Sequence, residues 1–325
     1  MTTTATTNTP PTPRLYWLHA LTPLHVGAGQ GIGFIDLPVM REKVTGWPLV
    51  PGSSFKGVLR DAYAAQCKTD PFKAAFGKPD EAIEEEDNTK DDSAQNSQSG
   101  QDTTPQSENA GSLVFSDARL ICLPVRSLLG TFAWVTAPMV LHRLYRDLDA
   151  AGQTSGLAAH CKIEQDDIAH ITDRGKVLDG DGQRLYLEDL DFKTETCSTA
   201  TQWADAIGNW LFHDDPVWQS LFAERFTIVA DDVFNFLCET ATEVNARIKI
   251  NSKTGTAAGN ALWYEESLPA ETLLAGLVWC DRVYGYSGTT PQQLMDDYCA
   301  GECPLQIGGK ASIGKGRVRC CFVND

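Results

Sequence analysis

The chain has 325 residues, a formal net charge of −16 and 42% hydrophobic residues. That length holds a sizeable core in one large or two small domains, and the composition is ordinary for a globular protein. No apolar run approaches the roughly 18 residues that cross a bilayer, the N-terminus lacks the basic start and apolar stretch of a signal peptide, and the overall acidity excludes a surface coated in bases.

Residues 1–13 are rich in Thr and Pro and read as a disordered tail ahead of a single domain spanning 14–325. RLYWLHALT, Arg14–Thr22, predicts a first strand, followed by a glycine-rich loop. A helix is expected from about Ser54, with Ser53 or Ser54 as N-cap and Phe55, Leu59, Ala62 and Tyr63 on its apolar face. Residues 79–110 carry ten acids against one base, Lys90, so this segment holds −9 and leaves −7 for the rest. With almost nothing apolar to bury, it reads as a disordered acidic insert within the domain. A basic groove for a polyanion must therefore be local.

Further along, Leu113–Pro124 predicts a strand or hairpin, and Val140–Asp149 lies in a helix. Phe226–Ala230 is a short strand, and Asp231 or Asp232 caps a helix over Val233–Glu239. Ala246–Asn251 and Ala261–Glu266 flank a polar turn, Ser252–Asn260, which is a hairpin signal. Leu273–Val283 is an apolar strand. Thr290-Pro291-Gln292-Gln293 starts a helix, with Thr as N-cap and Pro at the first helical position, and Gly301 stops it. Arg317–Val323 closes the chain as a strand. Strands and helices mixed in this order, with hairpins, predict an α+β fold of helices on an antiparallel sheet.

Ten cysteines without an export signal imply a cytoplasmic protein with reduced thiols. Cys299, Cys303, Cys320 and Cys321 do not form two properly spaced pairs, which argues against zinc. No nucleophilic triad is legible, and the six histidines show no ligand spacing.

Four patterns carry chemistry. His25-Val26-Gly27-Ala28-Gly29-Gln30-Gly31-Ile32-Gly33 brings backbone amides close to a ligand, or is simply a flexible loop. Asp36, before Leu37-Pro38, is either a turn residue or a carboxylate that moves a ribose proton and holds a divalent cation. Lys56 and Arg60 share a helix face near a helix N-terminus, which suits a phosphate cradle or two solvated bases. The loop Gln306–Arg317, with Gly308, Gly309, Lys310 and Lys315, nearly reads as a P-loop, but Gly316 stands where a magnesium-binding Ser or Thr is required and no helix fits after it. It suits a phosphate backbone better. On the hairpin, Arg247 and Lys249 share a face, and Trp263 either stacks a base or anchors the hairpin in the core.

The run HALTPLHVGAGQGIGFIDLPVMREKVTGWPLVPGSSFKGVLR, His19–Arg60, resembles the RAMP superfamily, and within it the backbone subunit (the fourth Cmr subunit) of type III-B CRISPR effector complexes. The similarity continues through PVRS at Pro124–Ser127, DDVF at Asp231–Phe234, ARIKIN, LWYEE and QIGGKASIGKG. The resemblance implies an RRM-like, ferredoxin-like palm with an inserted β-hairpin thumb at 246–266. It implies copies stacked head to tail along a guide RNA, beside other subunits of the Cmr complex and with no membrane. Asp36 would cut the paired target RNA at regular intervals with Mg²⁺ or Mn²⁺. His25, Lys56, Arg60, Arg247, Lys249, Trp263 and the loop bearing Gly308, Gly309, Lys310 and Lys315 would contact RNA. The rival readings are a non-catalytic guide-binding scaffold, the type III-A equivalent, and a stand-alone RAMP nuclease that processes guide precursors.

Overall fold

The computed structural model describes residues 11–29, 31, 35–77 and 110–323. The expected tail lies largely outside these residues, and so does nearly all of the expected acidic insert. The strands are β1 (Arg14–Ala20), β2 (Leu49–Val50), β3 (Val114–Phe115), β4 (Ala118–Arg126), β5 (Phe132–Thr136), β6 (Ile168–Ile171), β7 (Arg184–Leu187), β8 (Leu190–Thr196), β9 (Phe226–Ile228), β10 (Glu243–Ile250), β11 (Ala257–Ser267), β12 (Leu273–Trp279), β13 (Glu302–Gln306) and β14 (Arg317–Phe322). The helices are α1 (Gly52–Ala62), α2 (Asp70–Phe76), α3 (Pro138–Ala150), α4 (Ser198–Leu211), α5 (Pro216–Arg225), α6 (Asp231–Thr240) and α7 (Pro291–Tyr298).

A large mixed sheet runs in the order β13-β14-β1-β12-β4-β5-β9-β6-β8-β7, with β2 on β4 and β3 on β12. Only β5–β9 and β6–β8 pair in parallel among these. Strand β4 joins two halves: its first part, to Cys122, pairs with β12, and Leu123–Arg126 pair with β5. The expected antiparallel sheet is therefore a mixed one, because β5, β6, β7 and β8, which the sequence did not show as strands, join the expected strand β9 in a second half.

The central strand β1 is buried on both faces from Leu15 to Ala20, which is why its sequence alternates only partly. On one face Tyr16 stacks on Phe55 of α1, with ring centroids 4.3 Å apart, and its hydroxyl donates to the Ser116 carbonyl at 2.7 Å. On the other face Trp17 stacks on Trp210 of α4. Gly276 stands opposite Tyr16 across β1–β12, and a Cβ there would lie 2.6 Å from the Tyr16 hydroxyl. A side chain at 276 would thus displace the ring that seats α1.

Of three expected helix starts, two differ instructively from expectation. Helix α1 begins at Gly52 after Pro51, with neither Ser53 nor Ser54 as cap; the Asp117 carboxylate accepts from the Gly52 amide instead, at 2.9 Å. Asp231 does not cap α6, whose N-cap is Ala230; its carboxylate accepts from the Met139 amide at 2.8 Å and so caps α3. Thr290 does cap its own helix, α7, accepting from the Gln293 amide at 3.1 Å. A carboxylate near a helix start serves whichever amides the tertiary packing brings to it, and sequence reveals only the local choice.

Strands β10 and β11 form a separate hairpin, with a register shift between Ile248 and Ile250. Its turn is tighter than the expected Ser252–Asn260. Gly255 adopts φ 67°, the Asn251 amide donates to the Thr256 carbonyl at 2.9 Å, and β11 is extended from Ala257. A left-handed glycine reverses the chain at once, so Gly259 and Asn260 remain in the strand.

Candidate functional site

At the hairpin base three segments meet. The Leu37 amide donates to the Tyr264 carbonyl at 3.1 Å, and the Glu266 amide donates to the Leu37 carbonyl at 3.0 Å, so the Asp36–Leu37 segment lies along β11 as a short parallel neighbour. The Tyr264 amide donates to Asp36 Oδ2 at 2.7 Å. The Gly309 amide donates to the His25 carbonyl at 2.9 Å, and Gly308, at φ 77°, packs where a Cβ would lie 2.2 Å from that same carbonyl oxygen. Only glycine permits this docking of the C-terminal loop onto the N-terminal one.

Two consecutive buried carboxylates fasten the junction. Glu265 is 1% exposed and Glu266 is 2% exposed. Lys315 Nζ lies 2.9 Å from Glu265 and donates to Ser267 Oγ at 2.6 Å, while Lys310 Nζ is 3.6 Å and Arg247 Nε 3.9 Å from Glu265. Burial opposes ionisation of Glu265, but the Lys315 ammonium and the charges of Lys310 and Arg247 hold its carboxyl below the usual range. Glu266 accepts from Arg41 at 2.5 Å, the Val39 amide at 2.9 Å and Thr242 Oγ1 at 2.9 Å. Neither acid was singled out as a site residue from sequence. The signal present was a pair of acids inside an otherwise apolar and aromatic strand, where an unpaired charge would be too costly to keep.

Above this junction opens a cleft of about 470 Å³ lined by Gly31, Asp36, Leu37, Trp263 and Lys310. Asp36 is exposed there. Trp263, half-buried, forms a wall and faces Arg247 across the hairpin register. Thus Asp36, Trp263 and Lys310 are brought together, with Arg247 beside them and Lys249 exposed further out on β10.

The other expected site residues lie elsewhere. His25 is buried, and its Nδ1 lies 2.6 Å from the Glu266 carbonyl, to which it donates; it supports the cleft from beneath. Lys315 is buried in its pair with Glu265. Lys56 is half-buried and donates to the Leu113 carbonyl at 2.8 Å; burial, together with the nearby Arg60 charge, lowers its ammonium pKa even though Cys280 acts in the opposite direction. Arg60 is partly exposed on the same helix and has no ion pair among the described residues. Asp117 already occupies the α1 N-terminus, so the expected cradle of free amides at Lys56 is partly filled from within.

The RAMP superfamily model matches residues 17–319. The chain belongs to the RAMP superfamily. This RAMP protein is 34% identical over 317 residues to the CRISPR system Cmr endoribonuclease Cmr4 of Pyrococcus furiosus, with 94% of each chain covered. It is 22% identical to the CRISPR system CMR subunit Cmr4 of Saccharolobus solfataricus, with 95% of this chain and 96% of that one covered. Its fold matches the crystal structure of oligomeric Cmr4 from Pyrococcus furiosus with a TM-score of 0.67 at 26% identity, covering 96% of this chain and 99% of that one. Among the described residues, no helix of this RAMP protein is long and apolar enough to cross a membrane.

Proposed function

We propose that this RAMP protein is a backbone subunit of a type III-B CRISPR effector complex that cleaves guide-paired target RNA through Asp36. One observation carries the reading: an exposed carboxylate stands in an open cleft with one oxygen fixed by a backbone amide, 2.7 Å from Tyr264 N, so its other lone pairs face the space where a ribose would lie. The similarity to a protein named as a Cmr endoribonuclease supports the choice of RNA as substrate.

In this reading the large sheet is the palm and β10–β11 the thumb. Copies stack head to tail along a guide RNA beside other Cmr subunits. The guide selects the target by base pairing, so this chain reads only backbone and shape. Arg60, Lys249 and Arg247 meet phosphates, Trp263 stacks against a splayed base, and Lys56, with its ammonium turned inward, stiffens the helix that carries Arg60. His25 and Lys315 act from beneath, holding the glycine loop in place. Asp36 takes the proton of a 2′-hydroxyl whose nucleotide has been turned into line with the next phosphate.

A divalent cation, Mg²⁺ or Mn²⁺, belongs to this reading. Among the described residues no group of three or more His, Cys, Asp and Glu is arranged as a cage. One exposed carboxylate beside a phosphate path fits a hard cation that keeps most of its water, and Asp36 would hold it. When bound, such an ion supplies charge neutralisation at the phosphate.

The test is target-RNA cleavage by the reconstituted complex carrying wild type or Asp36→Ala, with and without Mg²⁺. Regularly spaced, metal-dependent cuts that vanish in the variant while guide binding is retained are expected. Cutting that persists in Asp36→Ala, or a wild type that binds target without cutting it, would reduce the chain to a guide-binding scaffold.

A further inference from the structure

We propose that Lys310 is the acid partner of Asp36, donating a proton to the leaving 5′-oxygen as the RNA strand breaks. The proposal rests on the nuclease reading and deepens it.

Among the described residues lining the cleft, Lys310 is the one cation and Asp36 the one anion. Transfer of a phosphodiester to its own 2′-hydroxyl needs both kinds of group: one takes a proton at the attacking oxygen, and another supplies one at the oxygen that departs on the far side of phosphorus. Asp36 can serve only one end. The step balances with these two residues: the bond from the 2′-oxygen to phosphorus forms as the bond from phosphorus to the 5′-oxygen breaks. The 2′-proton passes to the Asp36 carboxylate and an ammonium proton passes from Lys310 to the 5′-oxygen. The products are a 2′,3′-cyclic phosphate and a 5′-hydroxyl.

Two further observations set Lys310 apart from its neighbours. Its backbone is left-handed, at φ 70°, in a loop where Gly308, Gly314 and Gly316 also have positive φ. Glycine adopts that conformation more readily than any residue with a side chain, so the loop carries a lysine where glycine would be the easier choice. Its charge is also only loosely engaged. Glu265 has its close partner in buried Lys315 at 2.9 Å, and Lys310 stands off at 3.6 Å with its side chain 35% exposed. Glu265 therefore acts as a tether that keeps the Lys310 ammonium beside the cleft without neutralising it. The loop itself is fixed by the Gly309–His25 hydrogen bond, and its Lys310 lines the same cleft as Asp36.

The experiment is single-turnover cleavage by the guide-loaded complex at saturating protein, comparing wild type, Lys310→Ala and Lys310→Arg. It uses two synthetic targets. One has ordinary linkages; the other carries sulfur in place of the 5′-oxygen at one mapped cut site, a leaving group that departs without protonation. Target binding is measured in parallel by titration. Lys310→Ala is expected to cut the ordinary target roughly 100-fold or more slowly, the range for loss of an acid catalyst, with binding changed only a few-fold. The sulfur-substituted target should be cut by Lys310→Ala within a few-fold of the wild-type rate, whereas Asp36→Ala remains inactive on it. Lys310→Arg should keep binding, stay slow on the ordinary target and be rescued in the same way.

Wild-type rates for Lys310→Ala at saturation, with weaker binding alone, would make Lys310 a phosphate contact and overturn the proposal. A slow rate that sulfur does not restore would overturn it as well. A wild-type complex that cuts neither target would instead remove the nuclease reading on which it stands.

Discussion

Asp36 and Glu265 stand within one residue of each other's contacts, since Asp36 takes the amide of Tyr264 and Glu265 follows directly on the same strand. Their environments are opposite. Asp36 is exposed, holds one backbone amide and opens on a cleft; Glu265 is 1% exposed and surrounded by Lys315, Lys310 and Arg247. A carboxylate whose charge is matched within the protein builds structure, and one with spare lone pairs facing open space is free to act on something else. The pairing of the Asp36–Leu37 segment with β11 puts these two uses next to each other.

The comparison can be broken most decisively at Asp36. Asp36→Asn keeps size and hydrogen-bond reach, and is expected to lower target cleavage by about 10²- to 10⁴-fold with thermal stability nearly unchanged. A large loss of stability would place Asp36 among the structural acids. Glu265→Ala tests the opposite pole. It leaves Lys315 buried without its counter-charge, an expected cost of about 3–5 kcal/mol in chemical denaturation, and Glu265→Leu with Lys315→Met should recover much of it. If Glu265→Ala unfolds like wild type, the buried pair is not what fastens the hairpin to the glycine loop.

Two further carboxylates sharpen the scale between these poles. Asp231 caps α3 from another element, so Asp231→Ala should cost about 1 kcal/mol, read by denaturation, with cleavage unaffected. Glu42 receives Arg143 at 2.6 and 2.7 Å, and chiefly this pairing lowers its carboxyl from the ordinary 4.5 to about 2. A lowered value means stability that is fully present above the unfolded carboxylate range and lost as pH falls toward about 2. The difference in melting temperature between wild type and Glu42→Gln should therefore shrink from pH 5 downward, and a difference that is flat with pH would count against the pairing. This is the smallest effect expected, because the pair is partly open to solvent.

The legibility of the chain follows the reach of its interactions. The helix start at Thr290 was readable because cap and capped amide lie three residues apart. The hairpin was readable because two apolar runs flank polar turn residues, although its turn proved tighter, at Asn251–Thr256, once Gly255 supplied the reversal. Of the second half of the sheet, only β9 was legible. Its strands β6, β7 and β8 are four to seven residues long and carry His170, Arg184, Lys193 and Glu195 among their apolar positions. They become strands only by pairing with β9 and with each other.

The sequence by itself determined the strand β1, the helices α1 and α7, the existence of the hairpin, and the superfamily, because each rests on neighbouring residues and their order. It also offered Asp36, Trp263 and Lys310 as candidates without saying that they face one cleft. The tertiary structure decided that. It turned His25, Lys315 and, in large part, Lys56 inward, left Asp36 and Lys310 facing solvent, and revealed Glu265 and Glu266 as the acids that fasten the three segments. The reason is physical: whether a charge serves folding or chemistry depends on its partners and its exposure, and both are set by contacts between residues more than two hundred positions apart.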